Sequence, residues 1–199
     1  VNASPDRGCR PAADRASAFV LRRLPLLLEA TARLPALDVA CGDGRNGLLL
    51  AGGGARVLLV DRSEEVLSSL REPGCPHGAV FRAMDLEAPE LPDFGEACFG
   101  AVLVFRFLHR PLVPALRRCL APGGLFAYET YLEGQETLGR PRRPEHLLRR
   151  GELARWFDGW EIIEHFEGYE EEPPRFMGRM LCRKPSAAGQ QAVASGRAS

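Results

Sequence analysis

Short apolar runs alternate with longer amphipathic stretches from residue 36 to residue 130, a pattern that predicts strands and helices in strict succession. Strands are expected at 36–41, 56–61, 79–84, 100–105 and 125–130, with helices at 45–53, at 63–72 and from Pro111 to Leu120. Ser63 is placed to cap the second of these helices. Pro111 and Pro114 open the third, and Pro122-Gly123-Gly124 turns the chain into the fifth strand. Upstream, a helix is expected from about Asp14 to Ala32, bent near Pro25, with Phe19, Leu21, Leu24 and Leu28 against the sheet. After Tyr131 the pattern becomes polar and proline-containing through Arg150. A short helix at 151–158 then precedes strands at 160–167 and 175–183, close enough to pair as an antiparallel hairpin. The alternation predicts an α/β fold: one doubly wound, mostly parallel seven-stranded sheet over residues 12–184, with the antiparallel hairpin at its C-terminal edge. Residues 1–11 read as a loose tail and 185–199, which lack a core pattern, as a disordered one.

Composition narrows the classes of partner. The chain has 199 residues, 26 basic and 26 acidic, and a sequence pI of about 7.1. No global field therefore draws it to nucleic acid or to an anionic membrane. Six cysteines are scattered without a C-x-x-C pair, so free thiols are expected and a metal site is not. No charged and apolar leader and no run of membrane-spanning length is visible, so a soluble cytoplasmic protein is expected. Lys184 is the only lysine among many arginines and the chain begins at Val1, hints of a GC-rich genome, an alternative start codon and a bacterial source.

The chemistry concentrates in residues 37–61, LDVACGDGRNGLLLAGGGARVLLVD. An apolar strand, a glycine turn, a helix and a second strand ending in an acid build a nucleotide-shaped site, because glycines admit a ligand to the backbone and the acid can grip ribose hydroxyls. Gly42-x-Gly44-x-x-Gly47, with Asp61 nineteen residues beyond Gly42, also fits the dinucleotide fingerprint. Charge separates the two readings. Asp38 and Asp43 stand where a pyrophosphate would lie, and both disfavour a phosphate. S-adenosyl-L-methionine carries a sulfonium and an ammonium instead, so Asp38, Asp43 and Asp61 would surround a cation and a ribose. For Asp38 a buried backbone cap stays open as the alternative, and for Asp43 a solvent-facing position.

Residues 37–184 resemble a class I S-adenosylmethionine-dependent methyltransferase, with LDVACGDGRNG, LLVDRS, AMDLEAP, LAPGG, GELARWFDGWEIIEHFE and RFMGRMLCRK carrying the likeness. The nearest resemblance is to the tellurite-resistance branch. It implies a Rossmann-like domain, Gly42 and Gly44 along the methionine part of the cofactor, Asp61 on the ribose and Asp85 on the adenine amino group. It also implies Leu86 or Arg62 against the adenine face and the Phe105 backbone beside the cofactor. Position supports Asp61 and Asp85 independently, since each follows an apolar run and so falls at a strand's carboxyl end. Arg45 and Asn46 open the following helix, where contact with the cofactor carboxylate and exposure to solvent are both open.

On the acceptor side, FRFLHR at 105–110 follows strand four and brings Arg106, His109 and Arg110 toward the expected methyl position. His109 is either a base or hydrogen-bond donor, or a helix-start residue bonding backbone. Tyr131 leaves strand five as a pocket wall or as ordinary packing. Arg175 precedes the last strand, and Arg106, His109, Tyr131 and Arg175 are expected to converge over the methyl group. The resemblance implies transfer to a small-molecule acceptor, an anionic or soft nucleophile such as a thiol or a chalcogen oxyanion. The alternatives are an NAD(P)-dependent oxidoreductase and a non-catalytic cofactor-binding protein. Nucleic acid is not expected as the acceptor, because Phe105-Arg106-Phe107-Leu108 occupies the place of the Asn/Asp-Pro-Pro-aromatic signature of base-amino methylation. Six arginines at 140–155 are expected to be neutralised by the six glutamates at 161–172. His146 belongs either to a substrate lid or to a solvated loop, and the oligomeric state is left open.

Overall fold

The structure, a computed structural model, describes residues 16–71 and 73–186. Its strands are β1 (Ala36–Val39), β2 (Val57–Asp61), β3 (Ala79–Ala83), β4 (Phe99–Phe105), β5 (Leu120–Tyr131), β6 (Glu161–Glu170) and β7 (Arg175–Arg183). They form one sheet in the order β3-β2-β1-β4-β5-β7-β6. The first five are parallel, and β7 runs antiparallel between β5 and β6. The expected doubly wound sheet with its C-terminal hairpin is the one the chain forms. Strand order reverses between β1 and β4, which opens a crevice at the carboxyl ends of those strands.

The helices are α1 (Ala18–Ala30), α2 (Arg45–Gly52), α3 (Glu64–Leu70), α4 (Val113–Cys119) and α5 (Glu152–Trp156). Helices α1 and α2 cover one face, where Phe19, Leu27 and Leu50 pack with Leu59 and Leu103. On the other face, Leu116 and Leu153 of α4 and α5 pack with Leu37, Val102 and Phe126. Neighbouring residues of β4 therefore serve opposite cores. That double burial is why its sequence reads as an unbroken apolar run.

Several boundaries differ from the sequence expectation for local reasons. Ser17 caps α1 by accepting from the Phe19 N–H at 3.2 Å, a phase that buries Val20 and Leu27 and leaves Leu21 38% exposed. Leu21 is thus not a core residue, although Leu24 and Leu28 pack as expected. Strand β1 stops at Val39, not at 41, because Ala40 and Gly42 both take φ of 52° and break the ladder. The expected turn at 122–124 is an irregularity inside β5, where register against β4 shifts between Phe99 and Ala101. The expected start at Asp14, Glu72 at the expected end of the second helix, the tail at 1–11 and the tail beyond Ser186 lie outside the described residues.

Residues 132–150 fold back over the carboxyl edge of the sheet. Leu132 and Leu148 form a parallel bridge, and Leu132, Leu147 and Leu148 are buried. Gln135 accepts from the Phe176 N–H at 2.9 Å and donates to the Arg140 carbonyl at 3.3 Å. The arginines of 140–155 do not neutralise the acids of 161–172: among the described residues no ion pair joins the two stretches. Glu164 pairs with Arg22 and Arg23, Glu161 with Arg183, and Glu170 with Arg175 and Arg179. Those three acids face α1 and β7, whereas Glu167 accepts from the Gly151 N–H at 2.8 Å.

Gly47 fixes how closely α2 approaches the sheet. A Cβ there would lie 2.6 Å from Asp38 Oδ2 and 2.9 Å from a Leu59 methyl group. Gly47→Ala is expected to destabilise the fold by about 2 kcal/mol, since overpacking and the strained Asp38 contact outweigh the gain in helix propensity. Urea unfolding of the variant would show this as a lower midpoint at an unchanged slope.

Candidate functional site

A cavity of about 370 Å³ opens at the carboxyl ends of the parallel strands. Ala40 after β1, Asp61 and Arg62 at β2, and Met84 to Glu87 after β3 line one part. Arg106, Phe107 and Leu108 after β4 line the other, with Thr130 and Tyr131 of β5, under Pro141 and His146 of the folded-back segment.

The glycine turn is shaped by Asp61. Its Oδ2 accepts from the Gly42 N–H at 2.9 Å and its Oδ1 from the Ser63 N–H at 3.1 Å. Ser63 in turn caps α3 by accepting from the Val66 N–H at 3.2 Å. One carboxylate thereby joins the turn after β1 to the helix after β2 and still faces the cavity. Gly44 caps α2 at φ 68°, and a Cβ on Gly42 would meet nothing within 4 Å. The turn thus adopts backbone that side chains resist and leaves space beside it.

Asp38 is 2% exposed, and its Oδ2 accepts from the Gly47 N–H at 2.8 Å. Burial pushes its carboxyl up to about 7, against the opposing pull of that N–H and of Arg45. The carboxylate caps backbone inside α2 and does not line the cavity. Asp43 is exposed beside the turn and accepts from the Arg45 N–H at 3.5 Å. Arg45 is half-buried. Asp85 accepts from the Glu87 N–H at 3.0 Å, and Arg62 stands 3.8 Å from Glu87. Leu86 is buried at the cavity wall. Phe105 points away, packing against Phe19 at 6.1 Å between ring centroids.

Arg106 takes φ of 58°, so the chain turns sharply as it leaves β4. Its N–H donates to the Glu129 carbonyl at 2.8 Å, its guanidinium lies 4.6 Å above the Tyr131 ring, and Glu129 Oε1 is 3.5 Å from Nη2. Burial draws Arg106 below the ordinary guanidinium range, with Glu129 opposing. Glu129 is 3% exposed. It also accepts from Ser17 Oγ at 3.2 Å and faces Arg179 Nε at 3.3 Å. Arg179 stacks on Phe166 and pairs with Glu170, which Arg175 also contacts. Of the four residues expected to converge, Arg106 and Tyr131 share the cavity. His109 and Arg175 do not line it: His109 begins a 3₁₀ turn, and Arg175 is held by Glu170. Arg110 also leaves the site, to bind Glu152.

Sequence reasoning missed Glu129 and Arg179. The available signal was an acid inside the apolar run LFAYETY, the argument that singled out Asp38. It also assigned no definite role to His146, whose place depends on a long-range contact.

A five-stranded parallel core with an antiparallel edge, a glycine turn at its switch point and acids at the ends of β2 and β3 define a Rossmann-like nucleotide-cofactor fold. Residues 36–124 match the methyltransferase domain family. The ubiquinone biosynthesis O-methyltransferase of Methylococcus capsulatus is 30% identical over 185 residues, covering 77% of this chain and 78% of that protein. Hemagglutinin 1 of Eikenella corrodens is 27% identical over 148 residues, covering 70% of this chain, which spans about half of that protein, 48%. TehB from Haemophilus influenzae superposes with a TM-score of 0.66 at 19% identity, over 85% of this chain and 62% of that one. The chain belongs to the S-adenosylmethionine-dependent methyltransferases, and its cofactor is S-adenosylmethionine. At 19% identity the likeness to TehB is one of fold.

The residues present fit that group. Asp43 and Asp61 flank the turn and Asp85 lies across the cavity, a set of anionic acceptors suited to a sulfonium, an ammonium, hydroxyls and an amino group. It is ill suited to the phosphates of a nicotinamide dinucleotide. Among the described residues, no helix is long and apolar enough to cross a membrane.

Proposed function

We propose that the protein transfers a methyl group to a small anionic or soft nucleophile, a thiol or a chalcogen oxyanion such as tellurite. The observation that carries this reading is Arg106, a half-buried cation in the cavity wall beside Tyr131. In this reading Gly42, Gly44 and the helix start at Arg45 hold the methionine part of the cofactor, and Asp61 holds the ribose. Asp85 meets the adenine amino group, Leu86 or Arg62 the adenine face, and the backbone after Phe105 borders the methyl group. Asp43 adds negative potential near the sulfonium, and Asp38 acts from beneath by fixing α2.

When bound, S-adenosylmethionine supplies a methyl group already activated by its sulfonium. The protein's task is therefore alignment and exclusion of water. Arg106 orients the acceptor's negative charge. Phe107, Leu108 and Pro141 supply apolar walls, and Tyr131 fixes the guanidinium from below. Glu129 offsets part of the charge of Arg106, and the neighbouring Arg175 and Arg179 leave the cluster net positive against Glu129 and Glu170.

Arg106→Ala is expected to raise the KM of an anionic acceptor about tenfold or more, the loss of one charge-assisted contact, while cofactor affinity stays near normal. Steady-state turnover of thiols, tellurite, selenite and small carboxylates would measure it. Equal KM values for variant and wild type across the turned-over anions would refute the assignment.

A further inference from the structure

We propose that His146 accepts the proton of a thiol acceptor during methyl transfer and that Arg110 is the residue that positions it. The inference rests on the reading of the cavity as the acceptor site. His146 lines the same cavity as Arg106 and Tyr131. It ends the single turn Pro144–His146, too short to fix a side chain by its own hydrogen bonding.

The turn is gripped from outside. Arg110, four residues past Arg106, donates from Nη1 to the Glu145 carbonyl at 2.9 Å and from Nη2 to the Leu147 carbonyl at 2.8 Å. Those carbonyls stand on either side of His146. Glu152 accepts from Arg110 Nε at 2.6 Å and Nη2 at 2.9 Å, and from the Arg149 N–H at 2.9 Å. Burial raises the Glu152 carboxyl, but these donors outweigh it and hold the group below its ordinary value. The clamp thus joins the end of β4 to the start of α5 and fixes the backbone carrying His146 between them. The segment that follows β4 supplies Arg106 to the cavity directly and holds the His146 turn through Arg110.

The chemistry follows from the side chains present. Among Arg106, Tyr131 and His146, the imidazole is the side chain whose neutral form carries a ring nitrogen able to accept a proton. Asp61 at the end of β2 and Asp85 and Glu87 after β3 also line the cavity; the first two already accept backbone N–H groups, and Glu87 faces Arg62 at 3.8 Å. A chalcogen oxyanion arrives ionised and needs no base. A thiol with a pKa of about 8.5 arrives mostly protonated, and it is the thiolate that attacks. The thiol proton passes to an imidazole nitrogen, and the freed S–H pair forms the bond to the methyl carbon. The bond between that carbon and the cofactor sulfonium breaks, its pair staying on the cofactor sulfur. His146 is exposed and returns the proton to water.

The test is methylation at pH 7 of a thiol series, from an alkyl thiol to a nitrothiophenol already ionised, by the wild type and by His146→Ala, His146→Gln and Arg110→Gln. For the alkyl thiol, both His146 variants are expected to lose about 10²-fold in kcat/KM, the usual worth of a positioned base, and for the ionised thiol only about threefold or less. Arg110→Gln should show the same ordering in milder form with unchanged affinity for S-adenosylhomocysteine. Equal losses along the series, or none in the His146 variants, would overturn the proton transfer and leave the proposed function standing. Wild-type turnover of tellurite but of no thiol would overturn this inference alone. No turnover of any acceptor would overturn the proposed function, and this inference with it.

Discussion

Glu129→Ala is expected to destabilise the protein by about 3–5 kcal/mol, the range for removing one partner of a buried ion pair. For a chain of this size that corresponds to a fall in Tm of roughly 10 °C or more. Glu129 lies nearly sealed between Arg106 on the cavity side and Arg179, its cross-strand neighbour on β7. It also holds Ser17 at the cap of α1. Truncation leaves two partly desolvated guanidiniums facing each other and loosens the start of α1. Glu129→Gln keeps the shape and the contact with Ser17, so its loss should be smaller. Thermal unfolding followed by circular dichroism distinguishes the two variants. A change below about 1 kcal/mol for Glu129→Ala, typical of a surface substitution, would contradict the network described.

Asp61→Ala is expected to weaken S-adenosylmethionine binding by about 10²-fold, through lost charge-assisted hydrogen bonds to the ribose. The same substitution strands the Gly42 and Ser63 N–H groups that the carboxylate now holds, so the turn also loses its preorganisation. Asp61→Asn retains part of that bonding and should lie between Ala and wild type. Calorimetric titration of the folded variants measures both. Wild-type affinity in Asp61→Ala would remove Asp61 from the cofactor site.

The central strands were legible because β4 and its neighbours are buried on both faces, so apolar runs mark them without ambiguity. Asp61 was legible for a related reason: an acid at the end of such a run has nowhere to lie except the carboxyl edge of the sheet, and Asp85 follows the half-exposed edge strand β3 at the same edge. The role of Asp38 was visible only as a pair of alternatives. Its hydrogen bond to Gly47 depends on α2 pressing close to the sheet, which a one-dimensional pattern does not contain. Strand ends pointed to Arg106 and Tyr131, which line the cavity, and equally to His109 and Arg175, which do not line it, because strand ends give positions and not side-chain directions. Arg110 turned out to hold a segment some 35 residues further along the chain. The distant partners of Glu164 are likewise products of tertiary packing, since Arg22 and Arg23 lie on α1 and no local periodicity connects them to β6.

The turn from Ala40 to Gly44, with Asp61 bound to it and Asp85 across the cavity, suits a sulfonium nucleoside and not a phosphate-bearing dinucleotide. Isothermal titration of the wild-type protein with S-adenosylmethionine, S-adenosylhomocysteine, NAD and NADP tests it most directly. The account predicts saturable one-to-one binding of the first two and no comparable affinity for NAD or NADP. Preferential binding of NAD or NADP, with neither sulfur nucleoside bound, would contradict it.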